Sequence, residues 1–180
     1  MSETIAKKYA QALFEIGQEK DISDQLAEEL RIVKQIFNDH SELYTFLKHP
    51  RLKEEQKSKF VDESFHQLHP NIIHVLHLLI ERGRVEIIPS FVDQFIQMVN
   101  DAKGIAVATV YSVRELSDDE KQTLSQNFAK RLNKKSVQVH NVIDPSILGG
   151  LRIQVGHTIY DGTIRGKLDQ LEQNIMAANK

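Results

Sequence analysis

Four histidines, His66, His69, His74 and His77, are the first residues whose spacing suggests chemistry. His74 and His77 stand three apart in a stretch of helical period, so both rings could reach one metal ion. Pro70 breaks the helix between the two pairs, and no carboxylate falls at the spacing of a His-Glu-x-x-His site. The residues therefore read as partly exposed histidines on helix surfaces, and no metal site is assigned. A second stretch, Gly162-Thr163-Ile164-Arg165-Gly166-Lys167, resembles a phosphate-binding loop. That loop needs four residues between its glycines and a Ser or Thr after the lysine, to cradle phosphate and ligate magnesium. Here three residues intervene and Leu168 follows, so Asp161-Gly162 reads as a turn and Gly166 as part of a crowded helix face. Gly149-Gly150 precedes a run of strand period rather than joining a strand to a helix. It lacks the helix N-terminus that would hold a pyrophosphate. Serines and carboxylates are plentiful, but none stands in a strand–turn–helix nucleophile context. No catalytic residue and no cofactor follows from these patterns.

Composition narrows the classes further. With no cysteine, the chain has no disulfide framework, thiol nucleophile or thiolate metal site, which suits a reducing compartment. The net charge of -2 gives no overall positive field to draw it onto nucleic acid or anionic lipid. Its one basic cluster, Lys130, Arg131, Lys134 and Lys135, has no interleaved aromatic to stack on bases; cations at a helix C-terminus complement the helix dipole. The opening Met1-Ser2-Glu3-Thr4 carries no basic region leading into an apolar run, so neither a secretory signal nor an Arg-rich transit peptide is expected. The longest apolar stretch, Ile72 to Ile80, contains His74 and His77 and falls far short of the ~20 residues that span a bilayer. A soluble protein is expected, reaching a membrane only through a partner.

The elements that carry these residues change character near Gly104, where the apolar period passes from three-and-four to two. The fold class expected is α plus α/β: an N-terminal six-helix bundle over residues 1–103, then a small mixed strand–helix domain over 104–180. Ser23 and Ser41 are candidate caps of the second and third helices, and Pro70 and Gly83 are the expected start and stop of the fifth. In the second half, Ser117 to Glu120 reads as a capping box, and Thr163 can cap a last helix with Ile164, Leu168, Leu171 and Ile175 inward. Two helices carry more apolar surface than one core face needs. In the first, Ile5, Tyr9, Ala12 and Ile16 form one stripe, and Ala6, Ala10, Leu13 and Phe14 widen it. The fifth, from Ile72 to Ile80, is apolar nearly all round. Such helices are central in a bundle, half covered by a partner, or both.

Ile5-Ala6-Lys7-Lys8-Tyr9-Ala10-Gln11-Ala12-Leu13-Phe14, the helix stop Glu81-Arg82-Gly83-Arg84, and the run from Ile143-Asp144 through Gly149-Gly150-Leu151-Arg152-Ile153, Gly156 and Asp161-Gly162-Thr163-Ile164-Arg165 to Leu168 and Leu171 occur in order. Together they resemble the delta subunit of bacterial ATP synthases, the relative of the mitochondrial oligomycin-sensitivity-conferring protein, over essentially the whole chain. The resemblance implies a non-catalytic peripheral-stalk subunit of the proton-translocating ATP synthase, one copy per complex, at the cytoplasmic face of the bacterial cell membrane. It implies two partners: the N-terminal helix of an alpha subunit in a groove of the N-terminal domain, and the C-terminal ends of the b subunits on the C-terminal domain. Carried over by position, the groove includes Tyr9, Ala12, His74 and Leu78, and the family's structural signature includes Gly149, Gly150, Arg152, Gly156, Asp161, Gly162, Arg165 and Leu168. The competing classes are a small soluble enzyme whose site assembles only in the fold, which requires a deep pocket of convergent titratable groups, and an RNA-binding adaptor, which requires salt-dependent binding.

Overall fold

The computed structural model describes residues 2–49, 51–156 and 158–168. The chain divides into two compact units, Met1–Val99 and Asn100–Lys180, the division falling inside the last helix before the sheet.

Ahead of the sheet lie α1 (Ser2–Glu19), α2 (Ser23–Asp39), α3 (Glu42–Lys48), α4 (Glu54–Phe65), α5 (Pro70–Glu81) and α6 (Ile88–Lys103). A one-turn 3-10 helix, Val85–Ile87, joins α5 to α6 and is not legible in the apolar period. One hydrophobic cluster draws on all six α-helices: Ala6, Ala10 and Leu13 of α1 meet Leu26, Leu30, Val33 and Phe37, then Leu47, Val61, Phe65, Ile72, Leu76, Leu79, Phe91 and Phe95. The helix ends follow local chemistry, with corrections. Ser23 is the first helical residue rather than the cap; Ile22 holds that position and bonds no free N–H through its side chain. Ser41 occupies the cap of α3 in a helical conformation that leaves its hydroxyl unbonded to the helix. Pro70 opens α5 as expected, but the cap is a histidine: His69 Nδ1 accepts from Asn71 N–H at 3.2 Å.

The second unit is a four-stranded sheet with a helix on one face. Strands β1 (Ile105–Ser112), β2 (Ser136–Ile143), β3 (Leu151–Val155) and β4 (Thr158–Asp161) lie in the order β2-β1-β3-β4. β1 and β2 run parallel, joined through α7 (Asp118–Leu132), while β1–β3 and β3–β4 are antiparallel. The period-two pattern puts Ala106, Ala108, Val110, Val137 and Ile153 on one face, where Leu124, Phe128 and Ala129 of α7 cover them. Ser117 and Glu120 form the expected capping box, each accepting from the other's N–H. Asn133 ends α7 in the left-handed region at φ 53°. A second 3-10 turn, Pro145–Ile147, precedes the glycine pair. Residues 164–168 are helical behind the Thr163 cap, whereas Leu171 and Ile175 lie outside the described residues. Among the described residues, no helix is long and apolar enough to cross a membrane.

Candidate functional site

An α1 position repeats its direction every three or four residues, so its apolar surplus resolves into two stripes. Ala6, Ala10, Leu13 and Gly17 face inward and are buried. Next to them lie Ile5 and Tyr9, half-buried, and Ala12 and Ile16, exposed. The same split occurs on α5, where Ile72, Val75, Leu76, Leu79 and Ile80 are buried while Leu78 is half-buried and His74 exposed. α1 packs against both α5 and the 3-10 turn that follows it. The four residues expected to line a groove thus sit on the outer stripes of two packed helices, with Tyr9 and Leu78 part-covered and Ala12 and His74 open. Ala6 and Ala10, both fully buried, are small enough to let a neighbouring helix approach α1 closely.

The other three histidines of that group, His66, His69 and His77, have structural partners. His77 Nε2 lies 2.8 Å from Asp62 Oδ1 of α4, and His66 Nδ1 lies 3.0 Å from its own turn at Glu63 O. Besides capping α5, His69 donates its backbone N–H to Glu29 Oε2 at 2.5 Å, which ties α5 to α2. Among the described residues no three His, Cys, Asp or Glu side chains stand together as a metal ligand set. One contact at this site escapes sequence reasoning: Arg84 Nη1 donates to Tyr9 Oη at 3.2 Å, from the chain that leaves α5 to the middle of α1. No spacing rule links residues so far apart; only the helix stop at Gly83 hints that the chain returns there.

The glycine-rich signature forms a knot of short-range contacts in the sheet unit. Gly150 has φ +82°, and a Cβ there would run into the Gly162 carbonyl oxygen and lie 2.9 Å from Thr163 Cα. Only glycine fits. Gly162 N–H donates to Leu151 O at 2.9 Å, and Ile164 N–H to Gly149 O at 3.1 Å. Asp161 Oδ1 accepts from both Thr163 N–H and Thr163 Oγ1, at 2.8 and 2.7 Å, while Thr163 Oγ1 accepts from Gly166 N–H at 3.0 Å. Gly166 is crowded by that carboxylate, since a Cβ would meet Asp161 Oδ1 at 2.9 Å. These hydrogen bonds hold the Asp161 carboxyl below its usual range. Arg152 reaches Asp144 at 3.2 Å and lays its guanidinium 4.5 Å from the Tyr111 ring centroid. Asp144, depressed mainly by the Ser146 hydroxyl and N–H, caps the 3-10 turn. Gly156, with φ +58° and open space around it, turns β3 towards β4, and Arg165 and Leu168 are exposed.

Three surface depressions lined in part by α7 are open to solvent. One is lined by Phe128, Arg131, Leu151, Ile153, Tyr160 and Asp161, with Arg131 stacked 4.7 Å from the Tyr160 ring centroid. Two more hold Leu116, Leu124 and Glu120, and the lysines at the end of α7. Glu120 is held down to about 2, first by its hydrogen bond from Arg114 and then by Ser117 N–H; it is committed to a cap rather than to proton transfer.

The family model for the ATP synthase delta (OSCP) subunit matches residues 5–175. An ATP synthase subunit delta of Oceanobacillus iheyensis is 51% identical over 176 residues, covering 98% of this chain and 97% of the relative. A Geobacillus protein of the same name is 42% identical over 174 residues, covering 97% and 98%. Among solved structures, a chain of the Toxoplasma gondii mitochondrial ATP synthase hexamer superimposes with a TM-score of 0.76 at 18% identity, over 95% of this chain and 97% of that one, a likeness of fold.

Proposed function

From the premise that the chain belongs to the ATP synthase delta (OSCP) subunit family, we propose that residues 1–103 hold the N-terminal helix of an alpha subunit in the α1–α5 groove, and that residues 104–180 hold the C-terminal ends of the b subunits. The chain is a peripheral-stalk component of the F-type ATP synthase and has no catalytic role of its own. It belongs to a membrane-bound complex, and its described helices include none able to span the bilayer. We place it as a single copy at the cytoplasmic face.

The observation that carries the alpha-side reading is the doubled stripe on α1 and α5. We read α1–α6 as a six-helix bundle, on the support of the core they share; that core leaves Ala12 exposed and Tyr9 and Leu78 only half-covered. An amphipathic helix laid into that row would bury it by helix-in-groove packing. Holding a catalytic head against rotor torque calls for such a joint, formed from packed surface and requiring no bond chemistry. The test is Ala12→Glu. Ala12 is exposed, so the substitution leaves the fold intact, yet it places an unpaired charge under the docked helix. Affinity for a peptide matching the alpha N-terminal helix is expected to fall by roughly tenfold or more. Unchanged affinity would move the groove elsewhere.

A further inference from the structure

Arg84 is the one charged group of the helical unit tied to a groove residue among the described residues. Its backbone is set by the end of α5: Arg82 N–H donates to Leu78 O at 3.1 Å, Gly83 N–H to Ile80 O at 2.9 Å, and Arg84 N–H to Leu79 O at 2.7 Å. Gly83 supplies the left-handed turn, at φ +63° with nothing near its missing Cβ. The chain is thereby turned so that the residue 84 side chain returns to α1, where Nη1 donates to Tyr9 Oη. Arginine carries five N–H donors in a planar fork. Among the described residues, this one bond to Tyr9 is the only side-chain hydrogen bond of Arg84, and no carboxylate pairs with it, although Glu81 stands on the same helix end.

The residue is half-buried, and the groove residue it bonds, Tyr9, is uncharged. A guanidinium in that position stays solvated while the groove is open. Once a partner helix covers the row, its unused donors lose water, and leaving them unmatched is costly. A carboxylate matches the fork with two parallel hydrogen bonds, whereas an apolar or basic side chain there would strand the charge.

We propose that Arg84 is the polar anchor of the groove: it receives the carboxylate of an acidic side chain on the docked helix, while the Tyr9 hydroxyl holds the guanidinium in place. This inference rests on the alpha-side reading and adds a requirement to it. One acidic side chain of the incoming helix must face the C-terminal end of α5, which fixes the register that an apolar row alone leaves free. Tyr9 is a positioning residue in this account, and Arg84 makes the contact.

The experiment is calorimetric titration of the full chain with a synthetic peptide matching the alpha N-terminal helix, at two salt concentrations. Arg84→Met is expected to weaken binding by roughly tenfold to a hundredfold and to flatten its salt dependence. Tyr9→Phe should weaken it by a few-fold. Arg84→Glu should abolish binding, and one peptide in which a single acidic residue is replaced by lysine should restore it. Wild-type affinity in a folded Arg84→Met chain, or failure of every lysine-substituted peptide to rescue Arg84→Glu, would overturn the anchor. Should the Arg84 variants fail to fold, the wild-type chain is titrated with peptides carrying one acid-to-amide change each. One of them must lose both affinity and salt dependence, and uniform affinity across the series would overturn the proposal. The two readings fail separately: weakening by Ala12→Glu without weakening by Arg84→Met retains the groove and removes the anchor, whereas no binding by the wild-type chain removes both.

Discussion

The helical unit and the sheet unit are held together by different means. α1–α6 share a core rich in leucine, isoleucine and phenylalanine, with Phe14 and Phe95 meeting edge-on at 6.3 Å and Phe37 stacked on Phe65 at 6.4 Å. Its ion pairs, Lys34–Asp93 and Lys48–Glu86 among them, lie on the exposed surface, where such pairs contribute little. The sheet unit buries mainly alanine and valine beneath one helix and compensates with polar side chains. Asn141 accepts from Leu116 N–H at 2.8 Å and donates to Val110 O and Ser112 Oγ, at 3.0 and 2.6 Å. Asp161, Thr163 and Gly150 close the other end. A unit with surplus apolar surface can spare a stripe for a partner. A unit near its minimum size commits its distinctive residues to holding itself together. The signature glycines are therefore read as structural, and the residues proposed to meet b must be sought elsewhere on the unit.

Substitutions should separate the two regimes. The largest effect is expected from Phe95→Ala, which empties a fully buried ring site in the helical core and should cost about 3–5 kcal/mol. Amide exchange should rise across α1–α6 while α7 and the strands keep their protection. Gly150→Ala comes next, at roughly 3 kcal/mol, because its Cβ meets backbone that cannot yield. It should unfold the sheet unit and leave affinity for the alpha peptide unchanged, and loss of that affinity would blur the division drawn here. Ser117→Ala removes one partner of the capping box and should cost the sheet unit about 1 kcal/mol, read as a lower midpoint in urea.

The smallest expected effect is the response to acid. Glu120, Asp144 and Asp161 all have lowered pKa values in the folded sheet unit, against Glu42 in the helical one. A carboxylate whose folded pKa lies below its unfolded value contributes stability above the unfolded value and loses it as pH falls through the folded one. For Glu120 that loss runs from about 4.5 down to about 2. Exchange in α7 should rise over this interval ahead of α2 and α5, and Glu120→Gln should remove its share of the difference. All these groups are near the surface, so added salt should shrink the contrast.

Much of this architecture is legible in the sequence because apolar period is a direct record of burial. The change of period near Gly104, the stop at Gly83, the Pro70 start and the Ser117–Glu120 cap each depend on residues a few positions apart. The two stripes of α1 are visible as surplus, but which one faces the core is not, since Ala6 and Ala12 are the same residue type and only packing distinguishes them. His69 reads as a surface histidine by spacing and proves to be a helix cap. Asn141 leaves no sequence signal, and the Arg84–Tyr9 bond only the helix stop at Gly83, because their partners are brought near by the fold and by no spacing rule. Ser23 misleads for the opposite reason: cap propensity is a local preference, and the chain starts its helix one residue earlier in the register that buries Leu26.

The claim on which the rest depends is that the two units make two separable joints. It is tested by titrating the full chain, wild type and Ala12→Glu, with one peptide matching the alpha N-terminal helix and another matching the C-terminal end of b. The wild-type chain is expected to bind both, and Ala12→Glu to weaken the alpha peptide by at least roughly tenfold while the b peptide binds as before. Loss of b binding in that variant, or full retention of alpha binding, would contradict it.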